Sequence, residues 1–427
     1  MSALVIFGLL TVLMLTGMPI SIALGLTVLT FLFTMTSVPI EAVALKLFTG
    51  IEKFEIMAIP FFILAGNFLT HGGVAKRMIN FASSMVGHWY GGLGLAGVIA
   101  CALFAAVSGS SPATVVAIGA ILLPAMVKAG FPKNFGAGVI TTSGALGILI
   151  PPSIVMVMYA VATNSSVGAL FMAGVIPGLM LAGFLGFTTF YRAKKFDYPR
   201  QPKATGAQRF KAFRDSVWGL LLIVVVMGGI YTGIFTPTEA AAMSAVYAFI
   251  VAVFVYKDMS LKDVPKVLLN SASMSAMLLY IITNAVMFSF ILTNENIPQS
   301  LADWMLAQGM GAIVFLLIVN VLLLVAGNFM EPSSIVLIFA PILFPMAMKL
   351  GIDPIHFGII MVVNMEVGMC HPPVGLNLYV ASGITKMGIT ELTIAVWPWL
   401  LTMLVFLILV TYVPMISTWL PHMMGLM

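Results

Sequence analysis

Two short polar stretches interrupt segments of the chain that are otherwise apolar, and both are rich in oxygen donors. The first is Ser108-Gly109-Ser110-Ser111-Pro112, with Thr114 just beyond it. The second is Asn328-Phe329-Met330-Glu331-Pro332-Ser333-Ser334. Each is followed downstream by a proline pair, in Gly147-Ile148-Leu149-Ile150-Pro151-Pro152 and in Gly368-Met369-Cys370-His371-Pro372-Pro373. Carbonyl and hydroxyl oxygens at Ser108, Ser110, Ser111 and Thr114 suit a hard cation, while the positive ends of helices that restart after each break suit an anion. An unpaired backbone group in lipid is expensive, so such breaks persist where something binds. Close packing of helices through Ser and Gly is the purely structural alternative.

Around these breaks lie a few polar side chains that could serve the same chemistry. Glu331 and Glu366 are acidic residues in apolar surroundings, able to ligate a cation, carry a proton or hydrogen-bond a hairpin. His371 precedes the second proline pair and reads as a hydrogen-bonded buried histidine ahead of a proton relay. Asn364 and Asn377 flank the same break, each with donor and acceptor. Every arginine is Arg77 or falls within 192 to 214, so no guanidinium is expected near the breaks. A bound carboxylate is therefore predicted between the two polar tips and the two proline pairs, against backbone N–H groups after Ser111 and Pro373.

The elements that must position these residues come in two copies. A shift of 221 residues carries Pro124 onto Pro345, Lys128 onto Lys349, Gly130 onto Gly351, Gly147 onto Gly368, Pro151-Pro152 onto Pro372-Pro373 and Pro177 onto Pro398. With a slip of one residue, Pro112 meets Pro332, and the pattern reads as an internal repeat. The chain has 427 residues, 61% of them apolar and 8% charged, with a mean hydropathy of +1.13. Soluble domains carry roughly 25% charge. The fold class is therefore all-α: a polytopic protein of the lipid bilayer, without the alternation of a membrane β-barrel.

No Lys or Arg precedes Lys46, so the N-terminal apolar run reads as a retained membrane segment and not as a cleaved signal. Cys101 and Cys370 sit in apolar segments and read as packing residues. The net charge of +5 is not a nucleic-acid patch. Of the 19 basic residues, 8 lie between Arg192 and Arg214, which marks that loop as cytoplasmic.

Residues 3 to 34 form one long helix or two legs around Gly17-Met18-Pro19, and 38 to 56 an amphipathic helix at the interface. A span at 57 to 72 is followed by a polar connection carrying Lys76 and Arg77. Segments 93 to 107 and 112 to 127, with 15 and 16 residues, are too short to cross comfortably and read as a re-entrant hairpin. Residues 136 to 160 are a span broken at Pro151-Pro152, and 169 to 191 an unbroken one. Spans at 216 to 235 and 240 to 256 bracket Thr236-Pro237-Thr238-Glu239, where Thr236 or Thr238 caps the second helix. After an interfacial helix at 258 to 270, the second copy gives a span at 273 to 292 and hairpin legs at 311 to 327 and 333 to 348. A broken span at 357 to 380 and a final span at 391 to 418 complete it.

The expected division is a scaffold and arm (1–56), a first repeat (57–191), the basic loop with scaffold helices and a second arm (192–272), and a second repeat (273–427). Tracing from the basic loop puts Lys76-Arg77 inside and Glu295 and Asp303 outside, with a periplasmic C-terminus. Each copy crosses three times, so the copies are inverted and the hairpins enter from opposite faces.

Four motifs, in order, then resemble one family. Phe104 to Thr114, Gly147 to Pro152, Gly233-Ile234-Phe235-Thr236-Pro237-Thr238-Glu239-Ala240-Ala241-Ala242 and Pro372 to Leu378 are similar to the large membrane subunit of tripartite ATP-independent periplasmic (TRAP) transporters. The resemblance covers essentially the whole chain. It implies sodium-coupled uptake of an organic acid across the bacterial inner membrane by an elevator-type transport domain. The partners it implies are a periplasmic substrate-binding protein and a small membrane (Q) subunit. Carried over, the sodium sites fall at Ser108, Gly109 and Ser110 with Gly144, Gly147 and Pro151, and at Asn328 and Met330 with Gly368, His371 and Pro372. Substrate positions fall at Ser111, Pro112, Thr114, Pro152 and Ser153 in the first copy, and at Glu331, Pro332, Ser333, Asn364, Glu366, Pro373, Val374 and Asn377 in the second. His371 departs from the threonine common in the family, which puts one hydroxyl ligand in question. Asn364-Met365-Glu366-Val367-Gly368 resembles the C4-dicarboxylate branch. The competing readings are a stand-alone divalent-anion sodium symporter, disfavoured by the Gly233 to Ala242 motif, and an intramembrane enzyme. The sequence holds no His-Glu-x-x-His motif to support the enzyme.

Overall fold

The computed structural model describes residues 2–36, 38–372 and 375–427, and among these every regular element is helical. Pro373 and Val374, both expected substrate positions, lie outside the described residues. The N-terminal run resolves into two helices, α1 (Ser2–Leu15) and α2 (Ile20–Met35), which pack together. Gly17, at a φ of +81° that costs a glycine little, turns the chain between them. Then come α3 (Ile40–Thr49), a 3₁₀ turn (Phe54–Met57) and α4 (Ala58–His71).

The expected polar connection after α4 is instead a helix, α5 (Val74–Val86). Its apolar residues Val74, Ala75, Met78, Ile79 and Ala82 recur on one face and are buried, while Lys76 and Arg77 occupy the other. The first hairpin follows as α6 (Gly92–Ser108) and α7 (Ser111–Lys128). The second leg has 18 residues, more than the sequence reading allowed, because Ser111 and Lys128 belong to it. The interrupted helix comprises α8 (Lys133–Ser143), a 3₁₀ turn (Gly144–Ile148) and α9 (Ile154–Thr163).

α10 (Val167–Lys195) carries Arg192, Lys194 and Lys195 in its last turn, where cations meet the negative end of the helix dipole. α11 (Gly206–Tyr231) takes in the remaining basic residues from Arg209 on, so the basic stretch is mostly helix ends with only 196 to 205 between them. α12 (Pro237–Ile250) runs on through a π-helical turn (Val251–Val255). Thr236, not Thr238, caps it: Thr236 Oγ1 accepts from Glu239 N at 3.3 Å, and Glu239 Oε2 accepts from Thr236 N at 2.8 Å. Thr238 Oγ1 instead donates to the Phe54 carbonyl at 3.2 Å. Thr236→Ala is accordingly expected to cost about 1 kcal/mol, seen as a lower melting temperature of the detergent-solubilised protein. An unchanged melting curve would count against the cap.

The interfacial helix expected at 258 to 270 is not separate, since α13 (Val264–Asn294) is continuous from Val264. Beyond it lie α14 (Ile297–Ala307), α15 (Ala312–Gly327), α16 (Pro332–Lys349), α17 (Pro354–Cys370), α18 (Leu376–Thr385), α19 (Ile389–Tyr412) and α20 (Met415–Met423). α14 was not anticipated either, and it stands to the second copy as α5 stands to the first, at the same offset. Lys349 Nζ at the end of α16 pairs with Asp303 of α14 at 2.7 Å.

Packing repeats as the sequence does. The 3₁₀ turn Gly144–Ile148 lies on α6 and α7, and α17 lies on α15 and α16. The far halves cross over: α9 packs on α16, and α18 packs on α7. Each interrupted helix thus holds its own hairpin with one half and the other hairpin with the second. Around this core α4 packs on α12 and α13, and α13 also meets α2 and α3. Among the described residues eight helices are long and apolar enough to cross a membrane, two of them the second hairpin legs α7 and α16. Outward side chains such as Val224, Leu317 and Val405, more than half exposed, fit a lipid surround.

Candidate transport site

At the first tip, α6 ends at Ser108 because Gly109 turns left-handed at a φ of +59° while its N–H bonds the Ala105 carbonyl at 3.1 Å. Ser110 is extended and α7 restarts with Pro112 in its first turn, where a missing N–H costs no helix bond. Three oxygens cluster there: Ser108 Oγ lies 2.9 Å from Thr114 Oγ1, which donates to the Ser110 carbonyl at 2.8 Å. Ser111 Oγ donates to the Gly144 carbonyl at 3.0 Å and accepts from Asn377 Nδ2 at 2.7 Å. One hydroxyl therefore joins the first tip to both interrupted helices.

The first break abuts the same tip. A Cβ on Gly147 would stand 2.6 Å from the Ser110 carbonyl carbon and oxygen and 2.7 Å from Ser111 N. One on Gly109 would stand 2.8 Å from the Pro152 carbonyl oxygen. Pro151 and Pro152 are buried, and Ser153 Oγ caps α9 by accepting from Met156 N at 3.3 Å. In the second copy Gly368 meets Gly327, each Cβ falling 2.9 Å from the other's Cα. The offset that superposes Gly147 on Gly368 thus superposes two points where tip and interrupted helix touch backbone to backbone.

Asn328 and Met330 form the second tip, half-buried, and His371 Nδ1 donates to Asn328 Oδ1 at 2.8 Å. The imidazole bolts the break to its tip, half-buried where the sequence suggested a buried histidine. Glu331 precedes α16 and its Oε1 accepts from Ser334 Oγ at 3.3 Å. Asn364 is fully buried and faces α15, its Nδ2 donating to the carbonyl and Oδ1 of Asn320, both at 3.0 Å. Asn320 Nδ2 passes the chain on to Thr411 Oγ1 at 2.9 Å. Glu366 is 0% exposed, and neither carboxyl oxygen has a hydrogen-bond partner among the described residues.

Between the tips lies a cavity of about 420 Å³, within the size range of small-molecule sites. Ser108 to Ala113 line it from the first hairpin and Glu331 to Ser333 from the second. Ile148, Ile154, Met369 and Leu376 bring both breaks to its wall. Asn364, Glu366 and Asn377 are not on that lining: the first two sit deeper in α17, and Asn377 acts through Ser111. The opposite wall comes from α4, with Asn67 and Thr70, and from α13, with Met274 and Met277. Sequence reasoning missed this wall, although Asn67 inside an apolar span was a visible signal.

No lysine or arginine among the described residues lines the cavity. Among the described residues no group of three or more His, Cys, Asp or Glu side chains converges as a metal site. Neutral hydroxyl and carbonyl oxygens at the tips match a hard monovalent cation such as sodium better than a transition metal.

Two hairpin tips and two interrupted helices around a largely apolar cavity with polar groups at the tips, in an all-helical membrane chain, are the architecture of a membrane transport protein. A family model described as "Tripartite ATP-independent periplasmic transporter, DctM component" matches residues 7–416. The chain is 78% identical, over 100% of both sequences, to the C4-dicarboxylate TRAP transporter large permease protein DctM of Rhodobacter capsulatus. It is 43% identical to the isethionate TRAP transporter permease protein DctMQ of Oleidesulfovibrio alaskensis, covering 96% of this chain and 65% of that protein. The crystal structure of the Alcanivorax borkumensis YdaH transporter has the same fold, with a TM-score of 0.65 at 16% identity over 90% of this chain and 88% of that one. The chain belongs to the DctM component family of tripartite ATP-independent periplasmic transporters.

Proposed function

We propose that this chain is the large permease subunit of a sodium-coupled C4-dicarboxylate importer of the bacterial inner membrane. The observation that carries the reading is the cavity of about 420 Å³ closed by both hairpin tips and both breaks, with no cationic side chain among the described residues of its wall. Sodium is the coupling ion, held at Ser108 to Ser110 with Gly144 to Pro151 and at Asn328 and Met330 with Gly368 to Pro372. The substrate reading leans on the R. capsulatus relative, whose name specifies C4-dicarboxylates. A periplasmic binding protein delivers the substrate, and a small membrane subunit completes the permease. Support for that subunit is the DctMQ relative, of which this chain spans only 65%.

The two copies are inverted repeats, with the basic stretch at 192 to 214 on the cytoplasmic side and the C-terminus on the other. The hairpins and interrupted helices move together as an elevator against a scaffold that includes the segment 1–56 and α11 to α12. The crossed packing of α9 on α16 and α18 on α7 supports this, because it ties the two hairpins into one body.

Reconstitution tests the assignment. Proteoliposomes with this chain, the small subunit and a loaded binding protein are expected to accumulate succinate, and those with this chain alone are not. Robust uptake by the chain alone would return the stand-alone symporter.

A further inference from the structure

Three helices that wall the central cavity continue past it and line a second. On α13, Met274, Met277 and Leu278 face the first cavity, and Ala285, Val286 and Ser289 face another of about 470 Å³. On α9 the lining passes from Val155 to Val161 and Ala162, and on α16 from Ser333 to Leu337 and Pro341. Those steps place the second cavity about 6–10 Å farther along the same seam, at 1.5 Å per helical residue. α3 and the segment after it close the far side, with Lys46, Thr49, Gly50 and Lys53.

The charge of the two cavities is opposite. Among the described residues the central one has a carboxyl, Glu331, and no cation, whereas the second has two ammonium groups and no carboxyl. Lys46 Nζ stands 5.4 Å from the centre of the Phe290 ring, and among the described residues no hydrogen bond or ion pair engages it. Lys53 Nζ gives two donors to the Val161 carbonyl (2.7 Å) and Asn164 Oδ1 (2.6 Å), which leaves the third free. Burial pulls the Lys53 ammonium below the ordinary lysine range, although the nearby Glu55 charge opposes this. Lys46 is exposed and Lys53 half-buried, and two ammonium groups converging on one cavity favour an anion between them.

We propose that this second cavity is a capture subsite, in which Lys46 and Lys53 hold the carboxylates of a small dicarboxylate before it moves along α9, α13 and α16 to the hairpin tips. The proposal rests on the permease reading above. It separates two tasks: ammonium groups attract the anion without sodium, and the tip cavity then holds it with sodium.

The test uses the reconstituted three-component system with succinate as probe. Lys46→Gln with Lys53→Gln is expected to raise the KM for succinate about tenfold, the penalty for losing roughly 1.4 kcal/mol of binding. The maximal rate and the sodium activation curve should stay unchanged, and the Lys46→Arg, Lys53→Arg pair should stay near wild type. Because Cys101 and Cys370 are both buried, Lys46→Cys supplies one accessible thiol for a neutral maleimide. Succinate in sodium-free buffer should slow its labelling. An unchanged KM in the glutamine variant, or labelling that succinate leaves untouched, overturns the subsite. So does equal protection by free phosphate or by anionic lipid vesicles. Failure of wild-type uptake would sink the permease reading instead, and the labelling arm would still report on the subsite.

Discussion

Replacing Gly147 by alanine is expected to cut uptake by about a hundredfold, the scale of loss that a displacement near 1 Å brings to a preorganised site. The backbone angle of Gly147 is not the obstacle, since its φ lies outside the left-handed region. Space is. The added Cβ would meet the backbone of Ser110 and Ser111 at 2.6–2.7 Å, and backbone atoms cannot rotate away as a side-chain end can. Either the tip withdraws, separating the Ser108, Ser110 and Thr114 oxygens from the break, or the 3₁₀ turn bends away from α7. Gly368→Ala should do the same at the second tip through Gly327. Gly228→Ala on α11, where nothing lies within 4 Å, is the control. Uptake normalised to membrane-inserted protein decides the matter. Gly147→Ala activity within twofold of wild type would mean that the contact is slack.

How much of this was legible beforehand follows from which physical signals are local. The hairpins and interrupted helices could be read because glycine and proline act on their own backbone, and because the same residues recur 221 positions later. The helices α5 and α14 could not be read that way. Lys76 and Arg77 drew the eye to a polar connection, while the buried stripe from Val74 to Ala82 carries the helix. Boundaries at charged ends misled for a related reason: basic residues at 192 to 214 suggest a loop, and most of them instead continue α10 and α11. At the site, the residue types were visible and their partners were not. Nothing in the spacing of Asn364 points it to Asn320, or Asn377 to Ser111, because both bonds join helices from distant parts of the chain. The scaffold wall was invisible for the same reason, since Asn67 and Met274 become site residues only when α4 and α13 pack opposite the tips.

Replacing sodium with choline is expected to abolish uptake, and the reason is arithmetic of charge. A C4-dicarboxylate carries two negative charges at neutral pH. The positive elements facing the tip cavity are the first turns of α7 and α16 and, at Ile154 and Leu376, those of α9 and α18, each equivalent to roughly half an elementary charge. Pro112 and Pro332 each remove one N–H donor from those turns, which leaves amides such as those of Ala113 and Ser333 to meet a carboxylate. Glu331 contributes no positive charge, and when ionised it adds a negative one. Four half-charges only just match the dianion, and an ionised Glu331 leaves the site one unit short in a desolvated cavity, where an unpaired charge costs several kcal/mol. Two bound sodium ions at the tips would more than close that gap. Sodium removal should therefore weaken succinate binding at the tip cavity by at least about a hundredfold, or ~2.8 kcal/mol at 1.4 kcal/mol per decade. Arg77 offers no substitute, being stacked 3.8 Å over the Tyr256 ring and paired with Asp258. Arg77→Ala should leave substrate affinity unchanged, whereas Ser111→Ala, which removes the tip's side-chain bonds to both interrupted helices, and Asn377→Ala, which removes the one to the second, should not. Glu331→Gln removes a negative charge and should relax the sodium requirement. Uptake by the reconstituted system in sodium, in choline, and in choline with an imposed proton gradient separates the possibilities. Transport that persists in choline and follows the proton gradient would transfer the coupling role to protons and sink the sodium assignment.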